Sequence, residues 1–151
     1  MTEDLGDLYQ EIILEHNKSP RNFKRLEQPA HRAEGYNPLC GDRCQVYIEM
    51  DGDAIKEITF QGSGCAISRA SASMMTQMVK GKSKEEAAKL FEQFHDLVTG
   101  EKSAEEKAGE LGKLKVFSGV SKFPARVKCA TLAWHTLQSA LADKHDPVTT
   151  E

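Results

Sequence analysis

Residues 44–65 read Cys44-Gln45-Val46-Tyr47-Ile48-Glu49-Met50-Asp51-Gly52-Asp53-Ala54-Ile55-Lys56-Glu57-Ile58-Thr59-Phe60-Gln61-Gly62-Ser63-Gly64-Cys65. Cys44, Val46, Ile48 and Met50 alternate with Gln45, Tyr47 and Glu49, the period of a strand with one buried face. Ile55, Ile58 and Phe60 lie beyond Asp51-Gly52-Asp53, a turn signal, so the two runs predict a β-hairpin. Gly62-Ser63-Gly64 then breaks the second strand. Ile67, Ala70, Met74 and Met78 follow at helical spacing up to Gly81, which puts Cys65 at a strand-to-helix turn.

Upstream, Leu5, Leu8, Ile12 and Ile13 predict an amphipathic helix from Asp4 to His16, stopped by Asn17-Lys18-Ser19-Pro20. The polar stretch from Pro20 to Gly35 reads as a connecting arm. Downstream, Ser83 and Glu86 form a capping-box signature before a helix with the stripe Leu90, Phe94, Leu97 and Val98. Residues 99–115 are charged and read as a peripheral insertion, with a short exposed helix from Ala104 to Leu111. Pro124 suits the first position of a last helix, whose core stripe is Val127, Ala130, Trp134, Leu137 and Leu141. Residues 143–151 read as a disordered tail. The order helix, strands, then helices predicts one α+β domain over residues 1–142, with helices packed on a small antiparallel sheet.

The chain has 151 residues, 20 Lys plus Arg against 23 Asp plus Glu, and a formal charge of -3. That balance gives no global electrostatic attraction to nucleic acid or to an anionic membrane. The N-terminus carries no basic region followed by an apolar run, and no stretch approaches membrane-span length, so a cytoplasmic protein is expected. A P-loop, a dinucleotide fingerprint, a G-x-S-x-G elbow and an H-E-x-x-H pair are all missing from the chain.

Four cysteines scattered through a protein of a reducing compartment favour metal or catalysis over disulfides. Cys40, Asp42, Cys65 and Cys129 are the candidate ligands, because zinc takes about four thiolate, imidazole or carboxylate groups. Gly41 allows a tight turn that turns Cys40 and Asp42 toward one ion, although a turn-stabilising carboxylate explains Asp42 as well. Cys65 begins a helix, where the N-terminal field favours a thiolate. A small residue required beside Gly62 and Gly64 for close packing is the alternative. Cys129 follows Arg126 and Lys128, whose charges offset thiolates around an ion; an ordinary solvated basic face is the competing reading. Cys44 falls on the apolar face of its strand and is read as core. His16, His95, His135 and His145 lack the placement of ligands.

Three segments together resemble the IscU-like proteins of iron-sulfur cluster assembly, and within them the SufU branch. They are Asn37-Pro38-Leu39-Cys40-Gly41-Asp42; Gly62-Ser63-Gly64-Cys65-Ala66-Ile67-Ser68 with Ala70 to Met75 after it; and Phe123-Pro124-Ala125-Arg126-Val127-Lys128-Cys129-Ala130 to Trp134. His16 to Asn22 is similar to the family's N-terminal segment. Scaffold-type members carry His immediately before the last cysteine. Lys128 stands there in this chain, and the charged stretch around 99–115 resembles the longer SufU connection. Cys44 departs from the pattern, where relatives place an apolar residue.

The resemblance implies an IscU-like fold and a zinc held by Cys40, Asp42, Cys65 and Cys129. It implies a SufS-type pyridoxal-phosphate cysteine desulfurase as partner, with cluster-assembly proteins downstream. A histidine of the desulfurase is then expected to displace Cys40 from zinc, and Cys40 to take the persulfide sulfur. Arg126 is the candidate for supporting the docked, ligand-swapped state. The other branch implies a scaffold that binds a transient iron-sulfur cluster.

Overall fold

The computed structural model describes residues 2–100, 108–143 and 147–149. The hairpin stands as its alternation predicts. Strand β2 (Asp42–Asp51) pairs antiparallel with β3 (Ala54–Ser63), from Arg43 opposite Ser63 to Asp51 opposite Ala54, with a register shift between Glu49 and Met50. Cys44, Val46, Ile48, Ile55, Ile58 and Phe60 are all buried, the fully desolvated members supplying roughly 1.5–3 kcal/mol each of transfer energy. Tyr47 is buried as well, its hydroxyl 2.9 Å from Gln45 Oε1.

A third strand, β1 (His31–Asn37), lies antiparallel on β2, with Asn37 opposite Asp42. It occupies the end of the stretch read from sequence as a connecting arm. Its helix-facing residues are small, Ala33 and Gly35, so the apolar signal is weak. They are small because α4 (Pro124–Leu141) packs onto them: a Cβ on Gly35 would collide with Thr136 Oγ1 and meet Leu132. A short strand β4 (Val148–Thr149) adds to β1 in parallel, giving the order β3-β2-β1-β4. The sheet is therefore mixed, and the stretch expected as a disordered tail contributes its edge strand.

The helices pack on one face of the sheet. Helix α1 (Thr2–Lys18) lies on α2 (Ala66–Val79), α2 lies on β3 and α4, and α4 covers β1 and β2. Ile12 and Ile13 pack against the core; the side chains of Leu5 and Leu8 lie outside the described residues. Helix α3 (Lys84–Thr99) opens with the predicted capping box: Ser83 Oγ accepts from the Glu86 N–H at 3.1 Å, and Glu86 Oε1 accepts from the Ser83 N–H at 3.1 Å. Its buried Phe94 stacks on Trp134 of α4 with ring centroids 4.9 Å apart.

A run of 3-10 turns, Ala108–Lys122, is kinked at Gly112 and leads into α4. It corrects the expectation of a peripheral insertion over 99–115. Leu111 and Leu114 are fully buried, as is Phe117, which meets Phe94 edge-on. Few apolar residues among many charges hid this, yet those few all point inward. The expected helix from Ala104 to Leu111 lies largely outside the described residues. Pro124 takes the first turn of α4 as predicted. Among the described residues no helix is long and apolar enough to cross a membrane.

Candidate metal centre

Three backbone devices bring the candidate ligands to one end of the sheet. The β1–β2 connection is residues 38–41, closed by the Gly41 N–H donating to the Asn37 carbonyl at 2.8 Å. Gly41 sits at φ +75°, a conformation that costs a glycine little, and it lets Cys40 and Asp42 approach each other. The second device is the Gly62-Ser63-Gly64 crossing from β3 into α2. A Cβ on Gly64 would fall against the Asp42 carboxylate, so only glycine lets this turn pass so close. The third is α4, which delivers Cys129 in its second turn, fully buried.

One donor atom from each of Cys40, Asp42 and Cys129 lies within 4.8 Å of the others. Cys65 stands outside that triple and reaches it through its backbone N–H, which bonds the Asp42 carboxylate. Asp42 is fully buried. Its Oδ1 accepts the Cys65 N–H at 2.9 Å and its Oδ2 accepts the Asn37 Nδ2–H at 3.2 Å. Asp42 thus bonds residues of β1 and of the start of α2, across the sheet end, rather than its own turn.

Cys65 caps α2, its sulfur accepting the Ser68 N–H at 3.5 Å. The hydrogen bond from Cys129 and the N–H groups of Ser68 and Ile67 outweigh burial and the nearby Asp42 charge, lowering its pKa to about 6. Cys129 moves the opposite way: the bond to Cys65, burial, Asp42 and Cys40 all disfavour its thiolate. The cluster thus gathers thiols beside a buried carboxylate. A divalent cation suits such a donor set, because it displaces thiol protons and neutralises the resulting charge. Thiolate and carboxylate donors in this number fit zinc.

Cys40 is exposed, unlike Asp42 and Cys129. Leu39 beside it and Phe123 before α4 expose large apolar side chains, 62% and 60% accessible. Arg126 lies exposed in the first turn of α4 with no ion pair among the described residues. Cys44 is buried and its thiol is pushed up to about 12 by desolvation, which leaves it inert and places it in the core. Among the described residues no histidine joins the cluster. His16 is buried with Nδ1 2.7 Å from Ser73 Oγ, His95 and His135 flank Phe91, and His145 lies outside the described residues. Asn37 is the polar residue that the ligand count overlooks. Its only sequence signal is an Asn-Pro pair entering the cysteine loop.

Residues 8–130 match the family model described as the NifU-like N-terminal domain. The chain is 42% identical over 139 residues to the zinc-dependent sulfurtransferase SufU of Bacillus subtilis, covering 92% of each chain. It is also 42% identical over 137 residues to the iron-sulfur cluster assembly scaffold protein IscU of Streptococcus pyogenes, covering 91% of this chain and 84% of that one. In structure it is similar to an iron-sulfur cluster assembly scaffold protein for the SUF system from Fervidobacterium islandicum, with TM-score 0.82 and 35% identity over 87% of this chain and 94% of the other. Fold, cysteine cluster and these likenesses agree: the chain belongs to the NifU-like N-terminal domain family of IscU-like proteins, as a member of SufU type.

Proposed function

We propose that the protein is a zinc-dependent sulfur acceptor that takes persulfide sulfur from a cysteine desulfurase for iron-sulfur cluster assembly. The observation that carries this reading is the asymmetry of the cluster: Cys40 is exposed, while Asp42 and Cys129 are buried. A scaffold needs its ligands to hold a product. An acceptor needs one thiol that can leave the centre and meet a partner's sulfur, and Cys40 is that thiol.

Cys40, Asp42, Cys65 and Cys129 are the residues that would hold zinc, which when bound keeps thiolates deprotonated without redox chemistry of its own. The Cys40 thiolate attacks the outer sulfur of the desulfurase persulfide. A Cys40–S bond forms, the bond between the two persulfide sulfurs breaks, and the desulfurase cysteine leaves as thiolate. The proton of the outer sulfur stays on it. Exposed Leu39 and Phe123 supply apolar contact for a docked protein, and Arg126 supplies a free cation beside it. A SufS-type desulfurase is the partner we infer, with cluster-assembly proteins receiving the sulfur afterwards.

Desulfurase turnover, measured as alanine released from cysteine, should rise on adding wild-type protein and not on adding Cys40→Ala. Equal stimulation by both would exclude Cys40 as acceptor. The second reading, a scaffold for a transient iron-sulfur cluster, is favoured by the Streptococcus relative, a scaffold protein as similar to this chain as the Bacillus one. Anaerobic reconstitution with iron and sulfide separates them. A stable visible chromophore formed as zinc is lost supports the scaffold, and retention of about one zinc per chain supports the acceptor.

A further inference from the structure

The carbonyl and side chain of Asn37 are turned toward the ligand loop and the candidate ligands around it. The residue is fully buried at the end of β1, directly opposite Asp42. Its carbonyl accepts the Gly41 N–H at 2.8 Å and its Oδ1 accepts the Leu39 N–H at 3.3 Å, so both acceptors shape residues 38–41. Its two amide hydrogens are spent on the centre itself: Nδ2 donates to Asp42 Oδ2 at 3.2 Å and to Cys129 Sγ at 3.6 Å. A buried carboxamide is tolerated only when its hydrogen bonds are made, and here the partners for the N–H groups are two candidate ligands.

We propose that Asn37 is a positioning residue that ranks the ligands of the centre, tethering Asp42 and Cys129 and leaving Cys40 as the one that lets go. The inference rests on the metal-centre reading above. Asp42 is held by two donors, Asn37 and the Cys65 N–H; Cys129 is held by Asn37; Cys65 is held by the Ser68 N–H. No backbone or amide N–H among the described residues reaches Cys40. A hydrogen bond from a fixed, buried donor tethers a thiolate in place, because a sulfur that left the metal would also have to break that bond. The ligand without one is released first. Selective release of Cys40 is thus built in by an uncharged side chain across the hairpin, before any partner arrives.

The test uses the whole chain loaded with Co2+ as a spectroscopic probe, comparing wild type with Asn37→Ala and with Asn37→Ser. Serine keeps an oxygen for the Leu39 N–H but cannot donate to two acceptors, so it decides the matter if the alanine variant does not fold. Both variants should move the thiolate-to-cobalt charge-transfer band to lower energy and lose Co2+ to a chelator on the order of tenfold faster, the effect of one hydrogen bond to a charged group. A folded serine variant with the wild-type band and release rate would overturn the proposal. Should wild type bind no Co2+, the metal reading itself fails. The tether is then read in the metal-free chain from exchange of the Asn37 side-chain amide protons, slow in wild type and faster in Cys129→Ala; equal exchange would overturn it.

Discussion

The Cys65 N–H donates to Asp42 Oδ1 at 2.9 Å, joining the N-cap of α2 to the first residue of β2 across the whole length of the β2–β3 hairpin. This bond requires the Gly64 backbone to lie against the Asp42 carboxylate, leaving no room for a side chain. Gly64→Ala should therefore separate the two candidate ligands. We expect a loss of roughly 1–3 kcal/mol from forcing atoms into a packed site, together with substoichiometric zinc, measured by chemical denaturation and metal analysis. Full zinc content in a variant of wild-type stability would refute the close approach.

Gly35 makes a corresponding demand on the helix-covered face of the sheet. A Cβ there would collide with Thr136 of α4, the helix that carries Cys129. Gly35→Ala should push α4 off β1, at a cost of about 1–3 kcal/mol, and lower metal affinity although residue 35 touches no ligand. A thermal melt and a zinc titration check the two effects separately.

These glycines explain what could be read from sequence and what could not. The hairpin and α2 declare themselves by periodicity, since their buried faces are made of large residues such as Ile48, Phe60 and Met74. The ligand motifs are legible because cysteine beside glycine is chemically distinctive. Strand β1 is silent: its inward positions are Ala33 and Gly35, kept small by the helix above them. The segment before α4 is equally hard to read, as Leu111, Leu114 and Phe117 reach the core from turns of 3-10 helix, whose spacing breaks the usual period. Strand β4 has two residues and no pattern to read. The bonds of Asn37 depend on tertiary contact and leave no periodic trace.

The capping box of α3 offers a control far from the centre. Ser83→Ala removes the bond to the Glu86 N–H and should cost about 1 kcal/mol in urea denaturation, with zinc content and desulfurase stimulation unchanged. A change in either activity readout would mean that α3 is coupled to the site.

His135 supplies a pH dependence. It is half-buried between Phe91 and His95, and burial, with a smaller contribution from His95, holds its pKa below the usual imidazole value. The unfolded chain, titrating near 6.5, binds this proton more readily than the folded one. Its neutral form therefore supports the fold fully above about pH 6.5, and that support is lost as pH falls through the lower folded value. Denaturation midpoints at pH 5 and pH 7 should differ less in His135→Gln than in wild type. An unchanged difference would assign the slope to other groups.

The acceptor thiol is identified by where the sulfur goes. After incubation with a pyridoxal-phosphate cysteine desulfurase and cysteine, trapping with an alkylating reagent and peptide mass spectrometry should find one added sulfur on Cys40, with Cys44, Cys65 and Cys129 unmodified by persulfide. Added sulfur on Cys65 or Cys129 while Cys40 carries none would contradict the assignment of the exposed thiol as acceptor.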